Sequence, residues 1–283
     1  MGTGTGLGKL ILLGEHAVVH GHPAIAAAIS LKTRVELHPQ AGPTQVVSSP
    51  FQDDRLAEAL AVALPTEGLA VHIKSDLPVG RGLGSSAALA IALVRARANL
   101  EGRSLDFEAL HRAGFAIERV FHGNPSGLDH AVSAMGGVVL YRRDTAPQAL
   151  DMKPLQVVVL DSGAPGNTAD LVAAVARQRP AVDPLLERLG AIAEDRALCL
   201  DDTEGLADAM NEAHQLLKQL GVSTPDLDAL VDLARSHGAT GAKLSGAGGG
   251  GVVLALTPGG GQPLLAEARQ RGIQASTCSL PES

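Results

Sequence analysis

The sequence predicts a mixed α/β (α+β) fold in two domains, on three observations. Short apolar or alternating runs, which read as strands, are interleaved with longer stretches of helical apolar periodicity. The opening half is β-rich with helices inserted, whereas the closing half is mostly helical between two strands. Between the halves, Arg142 to Pro154 turns polar and carries two prolines. Such a shift marks a boundary and divides the chain into 1–153 and 154–283.

Taken in order, Met1 to Gly8 is rich in Gly and Thr, and Lys9 to Leu13 is a short strand, apolar after its lysine. Gly14-Glu15-His16 interrupts it. Ala17 to Gly21 and Ala24 to Ile29 follow, and Thr33 to Leu37 alternates as a half-buried strand does. Pro39 to Pro50 reads as a polar connection, Asp53 to Leu64 as an amphipathic helix and Leu69 to Ile73 as a strand. Ala87 to Leu100 is a long Ala-rich helix stopped by Gly102. Asp106 then caps a helix over Phe107 to Phe121. Ser126 opens a short helix through Ala134, and Val138 to Tyr141 is a strand. In the second half, Gln156 to Leu160 and Val252 to Leu256 are buried strands. Helices are expected at Thr168 to Arg179, Pro184 to Leu198, Thr203 to Leu220, Pro225 to His237 and Pro263 to Arg271, with a short tail after the last.

Composition excludes several function classes. An apolar content of 45% with 19% charged residues is globular. A net charge of −7, with no stripe of Lys and Arg, gives nucleic acid no electrostatic foothold. Trp is absent and Tyr occurs once, so a base-stacking platform is lacking too. No apolar run reaches the roughly 18–20 residues of a membrane span, and the N-terminus lacks a secretory pattern. Cys199 and Cys278 lie far apart without metal spacing, which fits free thiols in a cytoplasmic protein.

The richest stretch is Pro78 to Ala87, Pro-Val-Gly-Arg-Gly-Leu-Gly-Ser-Ser-Ala. Glycine permits positive φ and close backbone approach, and the helix behind places Gly84 to Ser86 at an N-terminus. Free N–H groups and the helix dipole favour an anion there, so the stretch is a phosphate cradle or a flexible turn. The Walker pattern fails at Gly8-Lys9, where Leu10 follows the lysine. A dinucleotide fingerprint at Gly82-x-Gly84-x-x-Ala87 fails as well, because Leu77-Pro78 separates it from its strand. His16, His20 and His22 lack the Glu of the His-Glu-x-x-His zinc motif. His20 and His22 read as polar loop residues, and His122 and His130 as caps or surface groups.

Glu118 and Asp129 lie on either side of a Pro-Ser-Gly turn that can fold the chain back on itself. One carboxylate could hold Mg²⁺, which prefers oxygen ligands, and the other could orient a hydroxyl. Spacing alone favours the plainer alternative, in which Glu118 pairs with Arg112 or Arg119 and Asp129 caps a helix. Lys9 could snorkel to solvent, or could lend its charge to a neighbouring hydroxyl or transferring phosphoryl group.

Together these residues resemble the GHMP small-molecule kinase family. Gly8-Lys9-Leu10 through Gly14-Glu15-His16 is similar to its first motif and Pro78 to Ala87 to its second. Lys243-Leu244-Ser245-Gly246-Ala247-Gly248-Gly249-Gly250 is similar to its third. Gly14 to Gly21 and His122-Gly123-Asn124-Pro125-Ser126-Gly127-Leu128-Asp129 are most similar to the family's mevalonate kinases. The resemblance implies a ribosomal-S5-like N-terminal domain, a ferredoxin-like C-terminal domain and an active site in the interdomain cleft. It implies phosphorylation of the C5 hydroxyl of (R)-mevalonate by ATP, other GHMP acceptors (homoserine or a sugar) or a silent ATP sensor being the alternatives. By the same resemblance Gly80, Arg81, Gly82, Leu83, Gly84, Ser85 and Ser86 form the ATP phosphate loop, and Ser86 and Glu118 hold Mg²⁺. Asp129 and Lys9 become the catalytic pair. Glu15, His16, Thr168 (of Gly166-Asn167-Thr168), Ser245, Gly246, Ala247 and Gly248 become substrate-binding. A homodimer is a family-level expectation. The family's usual Pro-Gly-Lys is Leu7-Gly8-Lys9 here, which spares the lysine.

Overall fold

The computed structural model describes residues 1–123, 125–166 and 168–281. Two compact units emerge, each discontinuous in sequence. The first holds Met1–Lys9, Ser30–Val79 and Leu83–Gly136; the second holds Leu10–Ile29, Gly80–Gly82 and the chain from Gly137 onward. The elements, in order, are mixed α and β in both units, as the sequence predicts.

Strand β1 spans Gly2–Leu13 and β2 spans Ala24–Pro43, with a 3-10 turn at Ala17–His20 between them. The Gly/Thr-rich N-terminus is therefore strand. Its reason is packing against helix α2 (Ser85–Leu100). A Cβ on Gly2, Gly4 or Gly6 would fall 2.3, 2.1 and 2.1 Å from the carbonyl oxygens of Ala96, Ala92 and Ala88. Two residues of strand advance about 6.7 Å and four of helix about 6 Å, so Gly-x-Gly-x-Gly and Ala-x3-Ala-x3-Ala run in step. Bare backbone on one element and methyl groups on the other allow this close contact.

In the first unit, β2 runs antiparallel to β4 (Glu67–Ser75) from Thr33↔Ser75 to Pro39↔Leu69. The short β3 (Gln45–Ser48) adds in parallel to β4. The sequence reads as a connection from Pro39 to Pro50, but β2 extends to Pro43, with a register shift after Pro39, and β3 follows. Helices α1 (Arg55–Ala63), α2 and α3 (Phe107–His122) enclose a core that includes Leu37, Leu56, Leu60, Leu89, Leu93 and Ile117. Full burial of each such side chain contributes about 1.5–3 kcal/mol. Asp106 caps α3 by accepting from the Ala109 N–H at 2.8 Å, as its sequence position predicts. The inward face of α3 carries Leu110, Gly114 and Ile117, and Glu118 falls on the same face. Helix α4 (Leu128–Met135) follows the Pro-Ser-Gly turn.

In the second unit, β5 (Val138–Tyr141) pairs with Ala24–Ala27 of β2 on one side and with β6 (Gln148–Leu150) on the other. A separate antiparallel sheet has the order β10-β7-β9-β8, formed by β7 (Leu155–Asp161), β8 (Gly241–Ser245), β9 (Val252–Leu256) and β10 (Ala275–Leu280). Between β7 and β8 lie α5 (Thr168–Arg177), α6 (Asp183–Ala197), α7 (Thr203–Gln219) and α8 (Pro225–Ser236); α9 (Gln262–Gln270) joins β9 to β10. Strand, helix, strand, strand, helix, strand in that order is the ferredoxin-like arrangement. The expected tail is thus the edge strand β10, paired to β7 from Ala275↔Leu160 to Leu280↔Leu155. Cys199 is exposed, Cys278 is buried, and both are free thiols. Among the described residues no helix is long and apolar enough to cross a membrane.

Candidate active site

Within the first unit, the glycine loop ends on α2, whose N-cap is Gly84 at φ 76° with no side chain capping the first turn. Gly80 and Gly82 also have positive φ, 75° and 77°. Open N–H groups at a helix start attract anions. A Cβ on Gly84 would meet Cγ of Lys9 at 3.1 Å, and the Lys9 N–H donates to the Leu83 carbonyl at 3.0 Å. Leu83 and Gly84 are therefore closed down onto the Lys9 stem.

Lys9 is buried rather than snorkelling, and its Nζ lies 3.2 Å from Asp129 Oδ2. The Asp129 side chain keeps 32% of its exposure, so an incoming group can reach the carboxylate. Gly127, not Asp129, is the N-cap of α4. The Ser126 hydroxyl accepts from the Leu128 N–H at 3.3 Å. The helix-cap alternative for Asp129 thus gives way to pairing with Lys9.

Glu118 likewise meets neither Arg112 nor Arg119. Its Oε1 accepts from the Ser86 hydroxyl at 2.6 Å, and His122 Nε2 lies 3.7 Å from the same oxygen. His130 Nδ1 stands 3.8 Å from Oε2, beyond ordinary hydrogen-bond distance. Burial pushes the Glu118 carboxyl up, but the two imidazoles and the Ser86 hydroxyl outweigh it and hold the pKa below the ordinary value. A carboxylate kept ionised beside a hydroxyl is an oxygen donor set of the kind Mg²⁺ prefers. Among the described residues no three His, Cys, Asp and Glu side chains converge as a self-sufficient metal centre. A cation here would need further ligands beyond these two oxygens.

The expectation that His130 is a cap or surface group is corrected: it is fully buried. Its ring packs 4.2 Å from that of His111 and 5.2 Å from that of Phe115. His122 is no simple cap either, since its Nε2 lies 3.0 Å from Ser86 Oγ. Neither histidine was singled out by spacing. The signal available was the i, i+4 relation of Glu118 and His122 on an amphipathic helix.

Within the second unit, Glu15 and Lys243 form a fully buried ion pair. Lys243 Nζ also donates to the carbonyl of Leu244 at 2.7 Å, and Glu15 Oε2 is buried without a partner. Lys243 belongs to the third motif, but no role was drawn from the sequence for it. His16 adopts φ 59°, ψ −44°, an uncommon conformation for a side-chain-bearing residue. Its Nε2 donates to the Ala247 carbonyl at 2.8 Å, which leaves Nδ1 as a buried acceptor without a partner. Burial lowers the His16 pKa, opposed by the Ala247 carbonyl and helped by His20, so the ring is held neutral.

The Ser245 hydroxyl accepts from the Ile11 N–H and donates to the Ile11 carbonyl, both at 3.0 Å, tying β8 to β1. Gly246 and Gly248 both have positive φ, and a Cβ on Gly248 would fall 2.1 Å from the Val222 carbonyl oxygen. Arg81 Nε lies 3.3 Å from Asp161 Oδ2, and the Gly166 N–H donates to the Gly80 carbonyl at 3.2 Å. Thr168 is exposed at the first position of α5. Asn124 and Asn167, within two of the quoted motifs, lie outside the described residues.

Residues 54–137 match the family description "GHMP kinases N terminal domain", and residues 196–274 match "GHMP kinases C terminal". The mevalonate kinase of Pyrococcus horikoshii is 37% identical, the match covering 94% of this chain and 95% of that protein. The crystal structure of L. major mevalonate kinase in complex with R-mevalonate superposes with a TM-score of 0.89 at 30% identity, covering 100% of this chain and 97% of that one. The Methanococcus jannaschii mevalonate kinase gives 0.87 at 26%, with 99% and 98% covered. Two domains in the family's order, and similarity along nearly the whole length, make this chain a member of the GHMP kinase family.

Proposed function

We propose that this chain transfers the γ-phosphoryl group of ATP to the C5 hydroxyl of (R)-mevalonate, giving 5-phosphomevalonate. The observation that carries the reading is Lys9 Nζ at 3.2 Å from a half-exposed Asp129 carboxylate, with Leu83 and Gly84 of the glycine loop seated on the same lysine. Phosphoryl transfer asks for alignment and for compensation of charge on the transferring group. The uncapped first turn of α2 supplies backbone donors for phosphate oxygens. Asp129 accepts the hydrogen bond of the acceptor hydroxyl, aims its oxygen, and takes its proton as the new P–O bond completes. Lys9 provides a fixed positive charge at that point and costs no reorganisation when charge develops. His16, with Nδ1 as a bare acceptor, suits a hydroxyl of the acceptor molecule.

Ser86 and Glu118 would hold Mg²⁺. When bound, that ion neutralises charge on the ATP phosphate oxygens. We place the family's N-terminal domain at 1–153 and its C-terminal domain at 154–283, and the protein in the cytoplasm, where its two free thiols stay reduced. Limited proteolysis that cuts first within Arg142 to Pro154 supports that boundary.

The test is ADP release with mevalonate, phosphomevalonate, homoserine and galactose as acceptors. Turnover with mevalonate is the expected result. Turnover confined to another acceptor overturns the substrate, and ATP binding without any turnover replaces the enzyme with a nucleotide sensor.

A further inference from the structure

Ser86 and Glu118 are not alone where they meet. His122 lies four residues beyond Glu118 on α3, the spacing that stacks two side chains on one helix face. Its Nε2 is 3.0 Å from Ser86 Oγ and 3.7 Å from Glu118 Oε1, while those two oxygens are 2.6 Å apart. The three polar atoms thus form one small triangle. The single Ser86 hydroxyl proton is directed to Glu118, so the hydrogen bond between His122 and Ser86 runs from Nε2–H to Oγ. That proton sits where a cation shared by the three atoms would sit.

We propose that His122 is a nitrogen ligand of the divalent-cation site formed by Ser86 and Glu118, and that it biases the site toward Mn²⁺ and Co²⁺ over Mg²⁺. The proposal rests on the phosphotransferase reading only for the presence of a cation. A carboxylate and a hydroxyl alone make an oxygen site, whereas one imidazole shifts the balance toward metals that accept nitrogen. His122 takes the Nδ1–H tautomer and offers the Nε2 lone pair to the ion. Its side chain keeps 37% exposure, enough for an ion to arrive without opening the core. His130 does not compete. It is fully buried on the other side of Glu118, near Oε2, against His111 and Phe115.

The test is electron–nuclear hyperfine spectroscopy on the full chain labelled with ¹⁵N-histidine and loaded with Mn²⁺ and ADP. No acceptor is present, so an error in the assigned acceptor leaves this measurement intact. A directly bonded imidazole gives a resolved ¹⁵N coupling in the parent protein. That coupling disappears in His122→Asn, whose amide still donates to Ser86. In the same variant the preference for Co²⁺ over Mg²⁺, measured by competitive titration, falls about tenfold or more. Absence of ¹⁵N coupling in the parent overturns the proposal, as does failure of Mn²⁺–ADP to bind. A coupling that survives His122→Asn and His122→Gln overturns it too, by assigning the nitrogen to another histidine.

Discussion

Lys9 and Lys243 are both buried, and both are paired with a carboxylate, yet they are set in opposite ways. Lys9 reaches Asp129, which keeps 32% of its side-chain exposure, whereas Lys243 and Glu15 are each sealed at 0%. A pair that is open on one side can exchange its partner for a substrate atom. A pair closed on both sides cannot, and its Coulomb attraction is largely offset by desolvation. Lys243 lies instead among carbonyls, those of Leu244 and Ile11, at the join of β8 with β1. The two ion pairs thus differ in the exposure of the acid, which fits the catalytic role proposed for the first and an architectural one for the second.

The sharpest way to break that comparison is to neutralise each pair in turn. Asp129→Asn is expected to lower kcat by about 10²–10⁴-fold, the usual worth of a positioned proton acceptor. Its melting temperature should fall only modestly, because the asparagine carbonyl can still accept from the buried Lys9 ammonium. Lys9→Met should behave alike. Steady-state ADP release alongside thermal melts reads both, and near-normal turnover removes the residue from its role.

Lys243→Met should do the reverse. Stripping one partner from a sealed pair costs about 3–5 kcal/mol, visible as a lowered urea midpoint. Adding Glu15→Leu removes the stranded carboxylate and should recover most of that loss. If the double variant regains stability and also retains its KM for mevalonate, Glu15 is structural rather than substrate-binding.

A smaller effect is expected at Ser86. Its hydroxyl, part-buried and replaceable by water in the hydrogen bond to Glu118, orients the proposed cation ligand, and loss of such a group costs about 10–100-fold in metal affinity or activity. Ser86→Ala should show that loss in kcat/KM for ATP with an unchanged melting temperature. Loss of stability instead would move Ser86 from the first kind of group to the second.

The same contrast explains what was legible in the sequence. Helices with strong apolar periodicity, such as α3 and α7, fall within a residue or two of their sequence-based bounds, and so do β7, buried along Val157–Leu160, and the fully buried β9. Edge strands do not. β3 is exposed at every position and β10 buries only Cys278 and Leu280, so neither shows a complete alternating signal. The N-terminal strand was hidden because its glycines are packing residues for α2 rather than turn formers. At the site, motif order brought out Lys9, Ser86, Glu118 and Asp129. Lys243 matters through a neighbour far away in the chain, and no local pattern reports a partner 228 residues distant, as Glu15 is from Lys243.

The smallest expected effect concerns acid, and it tests whether the second unit's sealed groups are structural as a set. His214 is buried against β8: its Nδ1 accepts from the Leu244 N–H at 3.4 Å, and its Nε2 lies 3.3 Å from Asp228 Oδ1. Burial lowers its pKa to about 4 from 6.5, with Asp228 opposing and Lys243 and Arg235 assisting. The unfolded chain therefore binds more protons than the native one between about pH 6.5 and 4. Stability is complete above that window and falls as pH drops through it. His111, also near 4, adds a parallel loss in the first unit. Glutamine can accept from Leu244 and donate to Asp228 without titrating, so His214→Gln should melt like the parent at pH 7. At pH 4.5 it should retain a few degrees that the parent loses. If both proteins lose the same number of degrees, His214 carries no proton-linked stability, and the acid sensitivity belongs to His111 and the first unit.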